Sequence, residues 1–221
     1  ANGGFTMFIG HYSAAFAAAA LPKAPKLGTL FVAAQLVDFG FFAFVPLGIE
    51  HMRIDPTASV MSPLDLYDMP WTHSLLGALA WATAFAIVLR ITIGNWTAAA
   101  IGGAVVVSHW FLDLVVHVPD LTLAGSAPKL GLGLWNYPAI AMPLELVMLL
   151  GTAGLYAVGT RPTGRPRALL ILVAVLLLLQ AVNWFGPPPV ATDVGLWGLG
   201  LFAFTLAAVL ASWVARNRVP R

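Results

Sequence analysis

Long apolar runs that are nearly free of charged residues constrain the fold of this chain more than any other feature. Seven such segments can be read along the 221 residues: 7–21, 27–49, 73–93, 97–118, 136–158, 168–186 and 195–214. A transmembrane helix needs about 20 apolar residues in sequence, whereas the strands of a membrane barrel give short alternating segments. The runs therefore predict an all-α, polytopic membrane bundle of six to seven transmembrane helices, with residues 1–221 forming a single domain.

The overall composition supports a membrane protein and excludes several other classes. Hydrophobic residues make up 60% of the chain and charged residues 9%, against roughly 25% charged residues in soluble domains. The absence of cysteine excludes disulfides and thiolate metal sites, and a net charge of +2 from scattered basic residues gives no indication of nucleic-acid binding. The opening residues lack the basic stretch of a signal peptide. Met7 is a candidate natural start, which would make residues 1–6 an extension.

Lys and Arg predict the orientation of the bundle. If the chain crosses the membrane alternately from the second segment onward, nine of the eleven basic residues fall on one side, and Arg53 and Lys129 fall on the other. The side with more positive charge is normally cytoplasmic. We therefore expect a multi-pass protein of a bacterial cytoplasmic (inner) membrane, with its C-terminus in the cytoplasm.

Several ionisable residues lie inside or beside the apolar segments, and the predicted topology brings them to related depths. Asp38 lies eleven residues from either end of segment 27–49. His109, Asp113 and His117 follow one another at intervals of four, which places them on one face of a helix. Ionisable groups are costly within a membrane and usually face a partner or a wet cavity. With His11 and His73, which also fall toward the outer side, they form a candidate functional cluster.

This combination of side chains is typical of a metal site. Imidazole nitrogen and carboxylate oxygen, without sulfur, suit zinc, manganese or iron, and three or four such ligands leave a position open for water. The candidate ligands of one or two divalent ions, most simply zinc, are His11, Asp38, His73, His109, Asp113 and His117. His117 lies one turn, or ~6 Å, beyond Asp113, so it suits a second ion, a substrate or the mouth of the site.

Each of these residues also has a purely structural interpretation. Asp38 could be a buried carboxylate bonded to His73 or Gln35, and His109 with Asp113 could be an ion pair on one helix. His11 and His117 could be polar residues near the membrane surface. Glu145, within "AIAMPLELVMLL", could make a hydrogen bond between helices.

Four sequence segments in order resemble a known family. "FIGHYSAAFAAAA", "QLVDFGFF", "YDMPWTHSLLGAL" and "SHWFLDLVVHVPD" look like the bacterial inner-membrane family of membrane-bound metal-dependent hydrolases, the LexA-binding, inner-membrane-associated group. The resemblance covers residues 7–158, so it implies a hydrolase-like core over residues 1–158 and two further transmembrane helices in residues 159–221.

A more distant similarity is to the zinc-dependent phospholipase C enzymes and the P1-type nucleases. Their ligand order of His, Asp, His and then His-x-x-x-Asp is met here by His11, Asp38, His73, His109 and Asp113. The likeness implies that Asp38, His73, His109 and Asp113 surround one ion, while His11 helps Asp113 to hold another. The later ligands of those enzymes have no clear match, with His117 and Glu145 as loose candidates, which favours one or two ions over three.

These observations predict a membrane-embedded metal-dependent hydrolase that acts on a phosphoester or lipid-linked substrate from the outer, periplasmic face. Asp68 and Glu145 are the candidate catalytic proton acceptors. Membrane lipids are the expected surroundings and the expected source of substrate. Two alternatives stay open: a transporter of divalent cations or protons, and a noncatalytic subunit associated with a larger membrane complex.

Overall fold

Helices make up most of the chain, as a computed structural model of residues 9–221 shows. In chain order they are α1 His11–Ala19, α2 Leu27–Ala34, α3 Leu36–Phe44, α4 Leu75–Ile93, α5 Trp96–Val116, α6 Pro138–Gly159, α7 Ala168–Phe185 and α8 Val194–Arg216. The five helices α4 to α8 are long and apolar enough to cross a membrane, and the bent pair α2–α3 raises the number to six. The prediction of a mainly helical bundle is therefore confirmed, and its helices are long and apolar enough for several membrane crossings.

The predicted first span, 7–21, is shorter in the structure than a membrane requires. Met7, the candidate natural start, and the extension before it lie outside the described residues. Helix α1 has nine residues, less than half of the ~20 that a span needs. It packs instead against α6, α2 and α5 as a short inner helix. Six spans therefore agree with the structure better than seven.

The second predicted span, 27–49, is broken near its middle. Helix α2 ends at Ala34, Gln35 takes non-helical backbone angles of φ −117° and ψ 13°, and α3 continues at an angle of 47° to α2. Such a break frees carbonyl groups that an unbroken helix would use internally. Asp38 lies in the first turn of α3, so the bend sets both its position and its direction.

Helices α4 and α5 form a tight antiparallel pair whose ends are well capped. The Ser74 hydroxyl accepts a 2.9 Å hydrogen bond from the Gly77 amide at the start of α4. Gly94, at φ +75°, ends α4, and the Asn95 side chain accepts bonds from the Thr97 and Ala98 amides at the start of α5. These caps fix where α4 begins and ends and where α5 begins. His73 therefore lies at the start of α4, beside the face of α5 that carries His109 and Asp113.

Two short two-stranded sheets, which the apolar runs do not predict, lie at opposite ends of the bundle. Strand β1 His51–Ile54 pairs with β2 Leu64–Asp68 in the long polar connection before α4. Strand β3 Thr160–Pro162 pairs with β4 Arg218–Pro220, which ties the α6–α7 connection to the tail. A 3₁₀ turn at Leu134–Asn136 precedes α6. The β1–β2 hairpin lies at the end with few basic residues, and the β3–β4 sheet lies at the end with many.

Large aliphatic side chains cover the outside of the helices. Ile91 on α4, Val147 on α6 and Leu178 on α7 are 76%, 69% and 64% exposed. In water such broad apolar surfaces would be an aggregation hazard, whereas a lipid bilayer solvates them. Inside, Tyr12, Phe16 and other fully buried side chains form the main core between α1, α2, α6, α7 and α8.

The closest approach of α2 to α8 allows a test of this packing. A Cβ added at Gly28 would lie 2.8 Å from the Ser212 Cα, which is backbone and cannot move aside locally. We expect Gly28→Ala to lower the free energy of unfolding by about 1–3 kcal/mol. Gly151→Ala, also within a helix but with nothing within 4 Å, is the matched control and should be neutral or slightly stabilising. Unfolding of both variants in a mixed detergent measures the difference, and equal stabilities would contradict this packing.

Candidate metal centre

Four histidines converge on two carboxylates within the bundle. Asp113 Oδ1 lies 3.0 Å from His11 Nε2 and 3.5 Å from His117 Nε2. Asp113 Oδ2 lies 3.1 Å from His109 Nε2 and 3.6 Å from His73 Nε2. Asp38 Oδ1 completes the group at 3.2 Å from His73 Nε2 and 3.5 Å from His109 Nε2. All six side chains predicted as metal ligands therefore meet in one place.

The spacing of these atoms fits ligands around a shared ion. Donor atoms bound tetrahedrally at ~2.1 Å from a zinc ion are about 3.4 Å from one another. Two sets have all their donor atoms within 4.8 Å of one another: His11, His109 and Asp113, and Asp38, His73 and His109. The arrangement is thus compact enough for metal coordination without a large movement of the backbone.

The outer nitrogen of His73 is fixed by a buried chain of hydrogen bonds. The Thr72 hydroxyl lies 2.7 Å from both Glu50 Oε2 and His73 Nδ1. An ionised carboxylate only accepts, so the hydroxyl donates to Glu50 and accepts from the Nδ1–H of His73. Glu50, which is fully buried, also accepts the backbone N–H groups of Trp71 and Thr72. In the neutral imidazole, Nε2 then carries a lone pair directed at the two aspartates.

His109 and His117 are oriented in the same way. His109 Nδ1 lies 2.7 Å from the carbonyl oxygen of Ala34, the last residue of α2 before the bend. His117 Nδ1 lies 2.9 Å from Asp120 Oδ1. Both partners are acceptors, so each Nδ1 carries the proton and each Nε2 faces Asp113. Ligating histidines typically show this pattern, with the outer nitrogen donating to a carbonyl or carboxylate.

An imidazole lone pair and a carboxylate oxygen that face each other repel, unless positive charge lies between the two groups. His109 Nε2 and Asp113 Oδ2 are buried and form no hydrogen bond with any described residue, although they are 3.1 Å apart. His117 lies between two carboxylates, with its Nδ1 2.9 Å from Asp120 Oδ1 and its Nε2 3.5 Å from Asp113 Oδ1. The centre therefore attracts positive charge, which protons or a divalent cation can supply.

One side of the centre is more accessible than the others. The side chains of His11, His73, His109, Asp113 and His117 are at most 4% exposed, whereas that of Asp38 is 17% exposed. Asp38 is further held by Gln35, whose amide nitrogen reaches Asp38 Oδ2 at 3.3 Å and Ala34 O at 3.0 Å in the amide orientation that satisfies both. Water or a reacting group would therefore approach on the Asp38 side.

The two predicted proton acceptors do not belong to this cluster. Asp68 lies on the exposed hairpin, where its Oδ2 is 2.8 Å from His51 Nδ1 and its side chain is 44% exposed. Glu145 is buried on α6 and accepts a 2.9 Å hydrogen bond from Gln180 on α7. The structural interpretation of Glu145, a hydrogen bond between helices, therefore agrees with its contacts.

Sequence reasoning missed the outer layer of the centre. From the sequence, Glu50 and Asp120 are predicted as loop residues close to the membrane surface, and Thr72 has no predicted role although it lies within the segment "YDMPWTHSLLGAL". Their roles depend on contacts from Glu50 to Thr72 across 22 residues and from the Ala34 carbonyl to His109 across 75. Only the proximity of Asp120 to His117, three residues apart, offered a signal in the sequence.

No protein-family model, no curated protein and no solved structure matches the chain. The resemblance to the inner-membrane hydrolase family therefore remains an expectation from the quoted segments. What the residues can do has to be argued from the geometry of the centre itself.

Proposed function

We propose that this chain is a membrane-embedded, metal-dependent hydrolase that acts on a phosphoester or lipid-linked substrate from the outer face. The observation that carries the proposal is the convergence of four imidazole Nε2 atoms on Asp38 and Asp113, separated by 3.0–3.6 Å. Zinc is the metal that this nitrogen and oxygen donor set suits best.

The two oxygens of Asp113 divide the ligands into two groups. On its Oδ2 side lie His73, His109 and Asp38, which would hold a first ion. On its Oδ1 side lie His11 and His117, and of these His11 belongs with Asp113 and His109 to one of the two compact donor sets. His109 offers only Nε2, because its Nδ1 is bonded to Ala34 O, so it belongs to one ion at a time. Because the two compact donor sets share His109, the described donor positions fit one ion, and a second ion would need His117 or water as a further ligand.

Hydrolysis is the chemistry that such a centre supports. A bound divalent cation acts as a Lewis acid, lowers the pKa of a water ligand and polarises a phosphoryl or acyl group. Thr72, Ala34 and Asp120 orient the imidazoles, so the donor atoms need little reorganisation when the metal binds. Asp38, the most exposed ligand, marks the side on which a scissile group would approach.

A lipid substrate is supported by an apolar pocket near the start of α4, the helix end at which His73 lies. The pocket has a volume of about 610 Å³ and is lined by Phe44, Trp71, Leu76 and Trp81, among others. Ser74, which also lines it, directly follows the candidate ligand His73. A pocket of this size and polarity fits an acyl chain.

The test is metal analysis of the purified full chain, followed by assays of phosphodiester and phosphomonoester lipids. We expect one or two equivalents of a divalent metal, and hydrolysis that a chelator abolishes and added zinc restores. Stoichiometric metal without turnover would contradict the hydrolase and favour the noncatalytic subunit. If the purified chain contains no bound metal and a chelator has no effect, the metal centre itself is contradicted.

A transporter of cations or protons is less well supported. Transport needs polar groups along a route to both faces. Between the centre and the basic end of the bundle lie Tyr12, Phe16, Leu30 and Phe31, all buried within the apolar core. Liposome flux of zinc or protons discriminates, and we expect none above the rate of empty liposomes.

We further propose that the protein resides in a bacterial inner membrane with its basic end and C-terminus in the cytoplasm. Because the sequence has no cysteine, single cysteines report accessibility without background. Val190, which is 92% exposed between α7 and α8, should react as Val190→Cys with an impermeant maleimide on cells with a permeabilised outer membrane. Thr163→Cys, exposed between α6 and α7, should react only after the inner membrane is opened. The reverse pattern would contradict the orientation.

A further inference from the structure

A cavity lined by basic and apolar residues lies at the opposite end of the bundle from the candidate metal centre. It has a volume of about 460 Å³ and is enclosed by the α1–α2 connection, the end of α6 and the tail after α8. Four basic residues line it: Lys23, Lys26, Arg218 and Arg221. No Asp or Glu is among the residues that line this cavity.

These positive charges have no counterion within the described protein. No ion pair in residues 9–221 involves any of the four. Glu145, the one carboxylate on α6, lies fourteen residues before the end of that helix at Gly159, which corresponds to ~21 Å along the axis. Four uncompensated cations around one cavity favour an anionic occupant.

Arg218 is held in place as a binding group. Its Nε donates to Thr160 Oγ1 at 2.8 Å, and its Nη2 donates to the carbonyl oxygens of Ala157 and Thr160 at 2.9 and 3.0 Å. Its Nη1 makes no hydrogen bond with any described residue. A guanidinium fixed on one edge and open on another binds phosphate oxygens with little loss of side-chain entropy. Lys26 directly precedes α2, whose first turn has no side-chain cap, and this helix end adds to the positive potential.

The rest of the wall is apolar, which favours a lipid over a free anion. Ala19, Leu21, Leu27 and Tyr156 line the cavity together with the four cations. The cavity also lies at helix ends, which is where the phosphates of a bilayer leaflet would be. Basic pockets between helices at this level of a membrane suit anionic headgroups.

We propose that this cavity binds the phosphate-bearing headgroup of an anionic phospholipid, with the start of an acyl chain against its apolar wall. The site is independent of the metal centre and of hydrolysis. The bound headgroup would offset part of the positive charge of the four cations and join the α1–α2 connection to the β3–β4 sheet. It would thereby stabilise the basic end of the bundle.

The test is native mass spectrometry of the full chain released from nanodiscs of phosphatidylcholine with and without phosphatidylglycerol. We expect one phosphatidylglycerol to be retained in preference to phosphatidylcholine. Lys23→Gln combined with Lys26→Gln should weaken this retention roughly tenfold to thirtyfold. The matched control is Arg165→Gln combined with Arg167→Gln, which removes two charges from exposed positions at the same end but outside the cavity, and it should change retention less than twofold.

Three results would overturn the proposal. One is equal retention of both lipids by the wild-type chain, and another is equal loss in the cavity and control variants, which would indicate general surface charge. The third is displacement of the lipid by inorganic phosphate at comparable concentration, because a free anion would then suffice. Lys23→Arg combined with Lys26→Arg should restore retention, which separates loss of charge from a folding defect.

Discussion

Asp113→Asn is expected to abolish stoichiometric metal binding and any hydrolysis that depends on it. Among residues 9–221, Asp113 is the only side chain that contacts all four histidines, with its Oδ1 facing His11 and His117 and its Oδ2 facing His73 and His109. Asn keeps the shape but removes the charge and replaces one ligand oxygen by a donor. The loss of metal affinity should exceed the 10–100-fold that removal of an outer-shell partner costs.

Asp68→Asn is the matched control, because Asp68 is also a carboxylate near the outer end but pairs only with His51 on the exposed hairpin. Metal content is measured on both variants after gel filtration, and circular dichroism confirms that both remain folded. We expect the control to keep the wild-type content. Wild-type metal content in folded Asp113→Asn would contradict the proposed centre.

The membrane bundle is predictable from the sequence because the bilayer imposes a simple requirement on it. A spanning helix needs a long apolar stretch, and α4 to α8 fall within about three residues of the predicted segments. The bend at Gln35 is not predictable in this way. No proline or glycine marks it, and hydropathy is insensitive to the backbone angles of one residue.

The candidate ligands are predictable for a related reason. Ionisable groups inside apolar segments are so costly that their presence indicates a common use. Because His109 and Asp113 share one face of a helix, they also indicate which face of α5 is directed at the cluster. The proton acceptors are not predictable, because a carboxylate beside a span has many possible partners. Asp68 bonds to His51, and Glu145 bonds to Gln180, 35 residues away. Such contacts depend on the packing of elements distant in sequence.

The outer layer of the centre gives the second large expected effect. Thr72→Val, which keeps the shape of the side chain, should lower metal affinity about 10–100-fold, measured by competition with a chromophoric chelator. The hydroxyl is the one group that joins the buried Glu50 carboxylate to His73 Nδ1, at 2.7 Å from each. Without it, His73 loses the partner that fixes its ring and keeps Nε2 unprotonated toward Asp38.

Two further variants separate this role from general destabilisation. Thr72→Ser retains the hydroxyl and should recover most of the affinity. Thr205→Val removes an exposed hydroxyl that bonds only to the Leu201 carbonyl of its own helix, and it should leave metal binding unchanged. If Thr72→Val bound metal as tightly as the wild-type chain, the chain from Glu50 to His73 would serve folding alone. The expected order of loss, with Asp113→Asn more severe than Thr72→Val and Thr72→Ser close to wild type, follows from the distance of each group from the proposed ion.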